Sequence, residues 1–329
     1  MKKLINAPEQ VVEQMLAGLL LAHPTLHQIG RQLAIANGNL KRKVWLVSGG
    51  GSGHEPLDVG YVGDGLLDAA ILGPVFTPPS VESIVATMKV LGPKRPYLFI
   101  VKNFASDMRH FTLAREQLVA EGYQIGLVSV ADDQSVDPDT LTARHRGVAG
   151  TVLMIKLLGA AADAGMALAD LQTLATEVNH QLVTLGVALS STEAPGQKKP
   201  AFDLGAAEIA YGIGIHGEPG YRSEPMVSSE LLARELVNKL TQINDWPEKA
   251  PMAVMINGLG GLPLMDQFVF THDAVELIRL HGFDMQFVKT GTLLTSYSMQ
   301  GVSLTLLGLT EQWRHWLGKP VGGFAWGNG

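Results

Sequence analysis

The chain has 329 residues, of which 46% are hydrophobic and 17% are charged, and its formal net charge is −6 at pH 7. This length predicts two domains, and the composition excludes a disordered chain. The acidic balance argues against direct binding of nucleic acid, and the lack of cysteine excludes disulfides and thiolate sites. With neither a signal peptide nor a run of about 20 apolar residues, we expect a soluble, cytoplasmic protein that does not bind membranes.

The first half of the chain alternates predicted strands and helices. After an N-terminal helix at 8–22, the hydrophobic pattern predicts strands at 43–47, 97–101 and 124–130 and helices at 80–90 and 112–121. The strand at 97–101 reads YLFIV, a continuous apolar run that is typical of a strand buried on both faces. The alternation therefore predicts an α/β domain with parallel strands.

Two helical stretches in the middle of the chain indicate a joint between two domains. They span 151–165 and 169–185, and new strand character begins at 187. We place the boundary near residue 185, which gives an N-terminal domain at 1–185 and a C-terminal domain at 186–329. In the second domain the pattern predicts strands ending at His216 and at 252–256, 285–289 and 302–307, and helices at 228–242 and 273–281.

Two stretches of similar sequence each place a histidine after glycines. His54 lies in SGGGSGHEP at 48–56, and His216 lies in GIGIHGEPG at 212–220. A single histidine beside a turn is most often partly buried and bonded to a turn carbonyl. Because the order of apolar run, glycine, histidine and Glu-Pro occurs twice, we predict that both imidazoles belong to one site. We expect each to lie where a strand ends and a turn begins.

Further polar residues follow predicted strands of the first half. Lys102 and Asp107 come after the strand at 97–101, and ligands of open α/β sheets bind outside the carboxyl ends of the strands. The glycine cluster at 49–53 lacks the Lys-Ser/Thr of a P-loop and is not a dinucleotide fingerprint. It favours the close approach of backbone N–H groups to a small polar ligand.

A metal site is the rival interpretation of these residues. His54, His216 and Asp107 would form a set of two histidines and one carboxylate. No local pair of histidines at metal-ligand spacing supports this set, so we expect no bound metal.

The order of the motifs resembles that of the dihydroxyacetone kinase K-type subunits. The residues that carry the resemblance are SGGGSGHEP, KN-aromatic-x-x-D at 102–107, RGVAGT at 146–151, GIGIHGEPG and NGLGG at 257–261. The resemblance covers essentially the whole chain. It implies two α/β domains with largely parallel or mixed sheets, usually assembled as a homodimer, with dihydroxyacetone bound between the domains.

The resemblance also implies a role for each matching residue. The histidine that forms a covalent hemiaminal with the ketone carbon corresponds to His216, and the other two catalytic positions correspond to His54 and Asp107. The positions that contact the substrate correspond to Gly51, Ser52, Gly53, His54, Lys102, Asp107 and His216. A neutral imidazole that adds to a ketone selects it over an alcohol of the same size, such as glycerol. A carboxylate at position 107 is able to take the proton of a hydroxyl that attacks a phosphoryl group.

The family further implies that this chain binds no cofactor. The nucleotide and its Mg²⁺ are held by a separate all-helical L-type subunit. In bacterial systems a phosphotransferase-system protein recharges that nucleotide, whereas fused family members use ATP directly. On this interpretation the chain is inactive without its nucleotide-binding partner.

Three stretches depart from the usual family pattern. KNFASD at 102–107 replaces KNYTGD, RHRG at 144–147 replaces GRRG, and TSYSM at 295–299 replaces TSLDM. These departures resemble a divergent branch that includes second-copy kinase subunits and a paralogue that senses dihydroxyacetone and co-activates transcription. The sequence thus leaves two hypotheses, a kinase subunit and a non-enzymatic sensor, of which we favour the kinase subunit.

Overall fold

The computed structural model describes residues 2–37, 42–137 and 139–327. The first half of the chain forms a six-stranded sheet with helices packed on it. Its helices are α1 Val11–Ala22, α2 Val81–Leu91, α3 Ala105–Ala120, α4 Thr151–Asp163 and α5 Leu168–Gln181. Its strands are β1 Leu26–Gln28, β2 Ala34–Asn37, β3 Trp45–Ser52, β4 Ala69–Val75, β5 Tyr97–Lys102 and β6 Ile125–Val130.

The strand order of this sheet is β1-β2-β4-β3-β5-β6, and the last four strands in that order run parallel. The edge strand β1 and its neighbour β2 are antiparallel, and like β4 they were not predicted. All six residues of β5 are buried, as its continuous apolar sequence predicts. The carboxyl ends of β3 and β5, which are neighbours, therefore meet at one edge of the sheet.

The second half forms another six-stranded sheet, with the order β11-β10-β12-β7-β8-β9. Only β10 and β11 pair in parallel, so both sheets are mixed and the predicted α/β fold is confirmed. Its strands are β7 Leu182–Ala188, β8 Glu208–Tyr211, β9 Arg222–Pro225, β10 Pro251–Gly258, β11 Asp284–Gly291 and β12 Gly301–Gly308. Its helices are α6 Ser229–Thr241, α7 Leu264–Leu280 and α8 Glu311–Leu317.

The predicted helix at 169–185 is wrong in its last four residues. Helix α5 ends at Gln181, and the chain continues directly into β7. All seven residues of β7 are buried, and they pair with β12 from Leu182 opposite Leu307 to Ala188 opposite Gly301. Pairing on both sides of this central strand overrides the helical pattern, because it satisfies the backbone and buries both faces. The predicted boundary near 185 falls inside β7.

Two helices are longer than predicted, and neither shows a clear helical apolar spacing at its start. The first turn of α3 contains the polar Ser106 and Asp107, whereas the first turns of α7 carry apolar residues on both buried and exposed faces. Helix α3 begins at Ala105 rather than 112, and α7 begins at Leu264 rather than 273. Strand β9 and helix α8 were not predicted, although the buried Trp313 and Trp316 of α8 are core residues, as their spacing indicates. None of the helices in the described part of the chain combines the length and apolar character needed to cross a membrane.

Helix α4 lies at the centre of the molecule. Twelve consecutive residues, 151–162, are buried, so this helix has no solvent-facing side. Its apolar side chains join one core cluster with residues of β3 and β4 in the first sheet, α8, and Ala253 and Met255 of β10 in the second sheet. The two halves thus share a hydrophobic core, which holds the loops at their boundary in fixed positions.

Candidate active site

The glycine cluster holds His54 against a loop of the second domain. Strand β3 continues through the cluster to Ser52, further than the strand predicted at 43–47. Beyond it, the carbonyl oxygens of Gly53 and His54 accept hydrogen bonds from the backbone N–H groups of Tyr297 and Thr295, at 2.9 and 3.1 Å. The Thr295 hydroxyl also donates to the Glu55 carbonyl at 2.9 Å. These bonds place His54 at the junction of the two halves.

The contacts of His54 determine which ring nitrogen carries the proton. Nδ1 lies 2.9 Å from the carbonyl oxygen of Thr295, which can only accept, so Nδ1 donates. Nε2 is then an acceptor, and it is buried without a hydrogen-bond partner. Burial, together with the neighbouring His216 and Lys102, lowers the pKa of His54 well below 6.5. The ring is therefore neutral at pH 7 and has a free lone pair.

His216 does not lie at the end of a strand, so that part of the prediction is wrong. Strand β8 ends at Tyr211, and His216 belongs to the loop between β8 and β9. The chain leaves the strand at Gly212, where φ is +72° and an added Cβ would lie 2.4 Å from the ring of Tyr221. A glycine is required there, and it turns the loop toward the first domain.

The prediction that the two histidines share one site is supported by their contact. The ring centroids of His54 and His216 are 4.7 Å apart and the rings are nearly perpendicular. Phe104 and Phe76 also face His216 edge to face, at 4.3 and 5.9 Å. The His216 side chain is 15% exposed, so a small molecule can reach it.

Glu218 orients the His216 ring from the other side. One oxygen of Glu218 lies 3.4 Å from Nδ1 of His216, and the other accepts the His216 backbone N–H at 2.9 Å. Burial acts to raise the pKa of Glu218, but His216 and Arg146 outweigh it and lower the pKa to about 2. Glu218 is therefore ionised at any working pH. With Nδ1 facing this carboxylate, Nε2 is the nitrogen that remains for a ligand.

Asp107 and Lys102 lie side by side beneath the glycine cluster. Asp107 is in the first turn of α3 and Lys102 ends β5, and both are buried. A Cβ added to Gly50 would lie 3.0 Å from Nζ of Lys102 and 3.2 Å from Oδ1 of Asp107. That oxygen is buried and has no hydrogen-bond partner. Burial raises the pKa of Asp107, while Lys102 and His216 partly oppose the rise.

The remaining predicted site residues have packing roles that explain their identity. A Cβ on Gly51 would lie 2.5 Å from the backbone N of Thr77, and one on Gly53 would lie 2.9 Å from the ring of Phe76. The Ser52 hydroxyl donates to the Gly73 carbonyl at 2.8 Å, which ties β3 to β4. Contacts of these three residues with a substrate stay a prediction.

Sequence reasoning did not single out three residues that shape this site, namely Phe76, Arg146 and Glu218. Glu218 had a signal, since a Glu-Pro pair follows each histidine, directly after His54 and one residue further on after His216. Each carboxylate accepts the backbone N–H two residues before it. Arg146 opens the motif RGVAGT, which carried part of the resemblance without a role for this residue. Phe76 had no signal, because its position depends on how loops from distant parts of the chain meet.

Other features of the structure do not mark the site. In the ranges 2–37, 42–137 and 139–327, no group of three His, Asp or Glu side chains is arranged to hold a metal ion. A cavity of about 710 Å³ lies in the second domain, lined by residues such as Leu189, Phe202 and Gln300. It contains neither histidine of the pair, so its volume does not identify it as the reactive site.

Known proteins are similar to this chain in both sequence and fold. Residues 17–324 match the family model described as the Dak1 domain. The chain is 42% identical over 329 residues to the PTS-dependent dihydroxyacetone kinase 1, dihydroxyacetone-binding subunit DhaK, of Listeria innocua, with 99% of this chain and 100% of that protein covered. It is 40% identical over 328 residues to the DhaKLM operon coactivator DhaQ of Lactococcus lactis, with 98% and 100% covered.

A solved structure, the dihydroxyacetone kinase operon co-activator Dha-DhaQ, is also similar to this chain. The TM-score is 0.89 at 39% identity, and the match covers 95% of this chain and 98% of that one. The similarity therefore extends over both halves of the molecule.

Proposed function

The chain belongs to the Dak1 family, and from that premise we propose that it is the dihydroxyacetone-binding subunit of a multi-subunit dihydroxyacetone kinase. The observation that carries the proposal is the convergence of three groups at one junction. They are the lone pair of His54 Nε2, the ring of His216 with its Nδ1 on Glu218, and the unpaired oxygen of Asp107. A small ketone with hydroxyl groups meets a nucleophile, an acceptor and a base at this place.

His216 is the covalent nucleophile of the proposal. The Nε2 lone pair forms a bond to the ketone carbon, and the carbonyl π bond breaks toward oxygen. That oxygen gains a proton from water, and the hydroxide left behind takes the proton of Nδ1, so the product is a neutral hemiaminal. The positive charge that develops on the ring lies beside the ionised Glu218, which stabilises it. Glycerol has no carbonyl carbon and forms no such bond, so covalent capture selects the ketone.

Asp107 and His54 handle the protons of the bound ligand. Nε2 of His54 accepts a hydrogen bond from a substrate hydroxyl, because this nitrogen is neutral and otherwise unpartnered. Asp107 takes the proton of the primary hydroxyl as its oxygen attacks a phosphoryl group, and its raised pKa makes it a stronger base than an exposed aspartate. Lys102, at 2.9 Å from the Gly49 carbonyl, holds a positive charge beneath the glycine cluster.

The phosphoryl donor belongs to another chain in this proposal. A nucleotide with Mg²⁺ sits on an L-type partner subunit, which docks over the rim of the site around Asp107 and Tyr297. The proposal also includes a homodimeric, cytoplasmic assembly.

A non-enzymatic sensor is the second candidate function. It is supported by the 40% identity to the coactivator DhaQ and by the changed residues Phe104, Ala105 and Ser106 beside Asp107. Phe104 packs on His216 with a ring that has no hydroxyl, so this wall of the site offers no donor to a phosphoryl group. A sensor would keep the covalent capture and use the occupied state to contact a transcription regulator.

A matched pair of variants tests the proposed roles. We expect His216→Ala to lose the adduct, observed as the absence of a mass increase by one dihydroxyacetone in native mass spectrometry. Asp107→Asn should keep the adduct and lose phosphorylation by about 10²- to 10⁴-fold, the usual contribution of a general base. An unchanged adduct in His216→Ala would contradict the assignment of the nucleophile.

Phosphorylation measured with a nucleotide-loaded L-type subunit distinguishes the two candidate functions. Turnover that requires both proteins supports the kinase subunit. An intact adduct without turnover supports the sensor, and the absence of any adduct on the wild-type chain contradicts both.

A further inference from the structure

A second buried carboxylate, Asp58, lies on Lys102 and is not among the residues assigned above. Nζ of Lys102 donates to Oδ2 of Asp58 at 2.9 Å, and the Ser48 hydroxyl donates to the other oxygen of Asp58 at 2.7 Å. Lys102 and Ser48 are fully buried and Asp58 is 7% exposed. Asp58 is thus held in one orientation by two partners inside the protein.

The backbone at Asp58 has an unfavourable conformation. Its φ is +60° and its ψ is −70°, and the N–H of Val59 donates to the Leu57 carbonyl at 2.9 Å, across Asp58. These angles and this bond define a γ-turn with positive φ, which is rare and strained for a residue with a side chain. Strain of this kind persists where the surrounding structure enforces it, and it concentrates at functional sites. The turn lies four residues after His54 and directs the carboxylate under the site.

Lys102 therefore faces two carboxylates. One of its three N–H donors bonds to Asp58 and another to the Gly49 carbonyl, whereas Oδ1 of Asp107 has no hydrogen-bond partner. If Asp58 were absent, the full charge of Lys102 would act on Asp107. With Asp58 in contact, much of that charge is neutralised, and Asp107 keeps an unpaired oxygen in a buried place.

From this geometry we propose that Asp58 is a positioning residue that engages Lys102 and thereby keeps Asp107 able to accept a proton. The inference rests on the proposed function, because it assumes that Asp107 is the base. Asp58 does not touch the reacting atoms, and it acts on Asp107 through its bond to Lys102 and through its own charge. It adds to the proposed site a residue that sets the strength of its base.

The charged and titratable groups that face Asp107 come from three places. They are Lys102 at the end of β5, Asp58 in the turn after β3, and His216 in the loop after β8, and the uncharged Ser106 hydroxyl also donates to Asp107. Lys102 and His216 favour the ionised form of Asp107, and Asp58 disfavours it. Removing the charge of Asp58 therefore lowers the pKa of Asp107, which makes it a weaker base.

The test is a titration of the Asp107 carboxyl by carbon NMR on the full chain, with the signal assigned by its loss in Asp107→Asn. In Asp58→Asn we expect the midpoint to move to lower pH. Asp58→Gly should shift it in the same direction, and glycine suits the positive φ of the turn, so this variant guards against a folding defect. Asp64→Asn removes the same charge from an exposed position nearby and should leave the midpoint unchanged.

The pH dependence of phosphorylation gives a second readout. With the L-type partner present, the acid limb of the rate profile should move to lower pH in Asp58→Asn, and the plateau rate should fall. If Asp58 were only a counter-ion that stabilises the fold, its replacement would lower the melting temperature and leave both the Asp107 midpoint and the pH–rate profile unchanged.

The outcomes separate this inference from the proposed function. If the wild-type chain forms no adduct and shows no turnover, the proposed function fails, while the Asp107 titration still tests the charge coupling. An unchanged or raised midpoint in both folded Asp58 variants overturns the inference. Failure of both variants to fold also overturns it, since Asp58 would then serve folding.

Discussion

At the scale of single residues, the site depends on buried imidazole and carboxylate groups whose pKa values are shifted from their ordinary values. His54 illustrates the physical cause, because its surroundings give a charged ring no compensation. The ring donates one hydrogen bond from Nδ1 to the Thr295 carbonyl, its Nε2 has no partner among the described residues, and Lys102 lies nearby with a positive charge. Burial thus leaves the His54 ring neutral and able to accept a hydrogen bond, and the lowered pKa makes the free energy of unfolding depend on pH.

We expect His54 to make the free energy of unfolding depend on pH. In the unfolded chain its pKa is about 6.5, and in the folded chain it is well below that value. Its contribution is therefore present above pH 6.5 and is lost as the pH falls toward the folded-state pKa, because the unfolded state binds the additional proton. One proton corresponds to a slope of up to about 1.4 kcal/mol per pH unit.

Denaturant unfolding at several pH values below 7.5 measures this slope. His54→Asn retains a donor toward Thr295 but cannot titrate, so the slope below pH 6.5 should be smaller than in the wild type. His27→Asn, at an exposed position, serves as the control and should leave the slope as it is. A slope in His54→Asn equal to that of the wild type would contradict the explanation.

At the scale of elements, the glycine cluster at the end of β3 has a sequence that packing restricts. Gly51 and Gly53 lie against the backbone of Thr77 and the ring of Phe76, and Phe76 itself has a positive φ of 54°. The cluster thus brings the segment after β4 close enough for Phe76 to stack on His54 with ring centroids 5.2 Å apart. The missing side chains of Gly51 and Gly53 leave the space in which Thr77 and Phe76 pack.

A pair of glycine substitutions tests this explanation. Gly51→Ala should destabilise the fold by about 1–3 kcal/mol, since the new Cβ would meet the backbone at 2.5 Å and no side chain can move aside. Gly18→Ala lies in helix α1 with no atom within 4 Å of the new Cβ, and it should stabilise by about 0.5–1 kcal/mol. Thermal unfolding of both variants measures the difference. If Gly51→Ala left the stability unchanged, the loop that contains Phe76 and Thr77 would have to move to make room for the new Cβ.

The order of the elements could largely be predicted from the sequence, and so could the presence of both histidines in one candidate site. The apolar runs of β5, β6 and β10 and the capped start of α2 at Ser80 are local signals, and each corresponds to an element of the structure. The first four residues of β7, 182–185, were predicted as helix, because the partner strand β12 that pairs with them lies more than 110 residues away and leaves no local signal. The loop position of His216 depends on Gly212 packing against Tyr221, which no local pattern reveals.

At the scale of the whole molecule, the site exists only because the two halves are held together at fixed places. The buried Arg146 joins the two halves at one of these places. From the first half it donates to Asp133 and Ser135, at 2.7 and 2.9 Å, and it also donates to the Gly212 carbonyl of the second half at 3.0 Å. Gly212 is the residue where the His216 loop begins, so Arg146 couples the position of that loop to the first half.

Replacing Arg146 should therefore weaken both the fold and the capture of ligand. Arg146→Met leaves the Asp133 carboxylate buried without its ion pair, which costs about 3–5 kcal/mol, and removes the charge that helps to keep Glu218 ionised. Arg234→Met, the control, removes an exposed arginine of α6 that pairs with Glu230 at 2.8 Å, and it should cost less than about 1 kcal/mol. Denaturant unfolding and dihydroxyacetone titration followed by native mass spectrometry measure the two effects. If Arg146→Met unfolds like the Arg234 variant and binds ligand equally well, Arg146 does not position the loop.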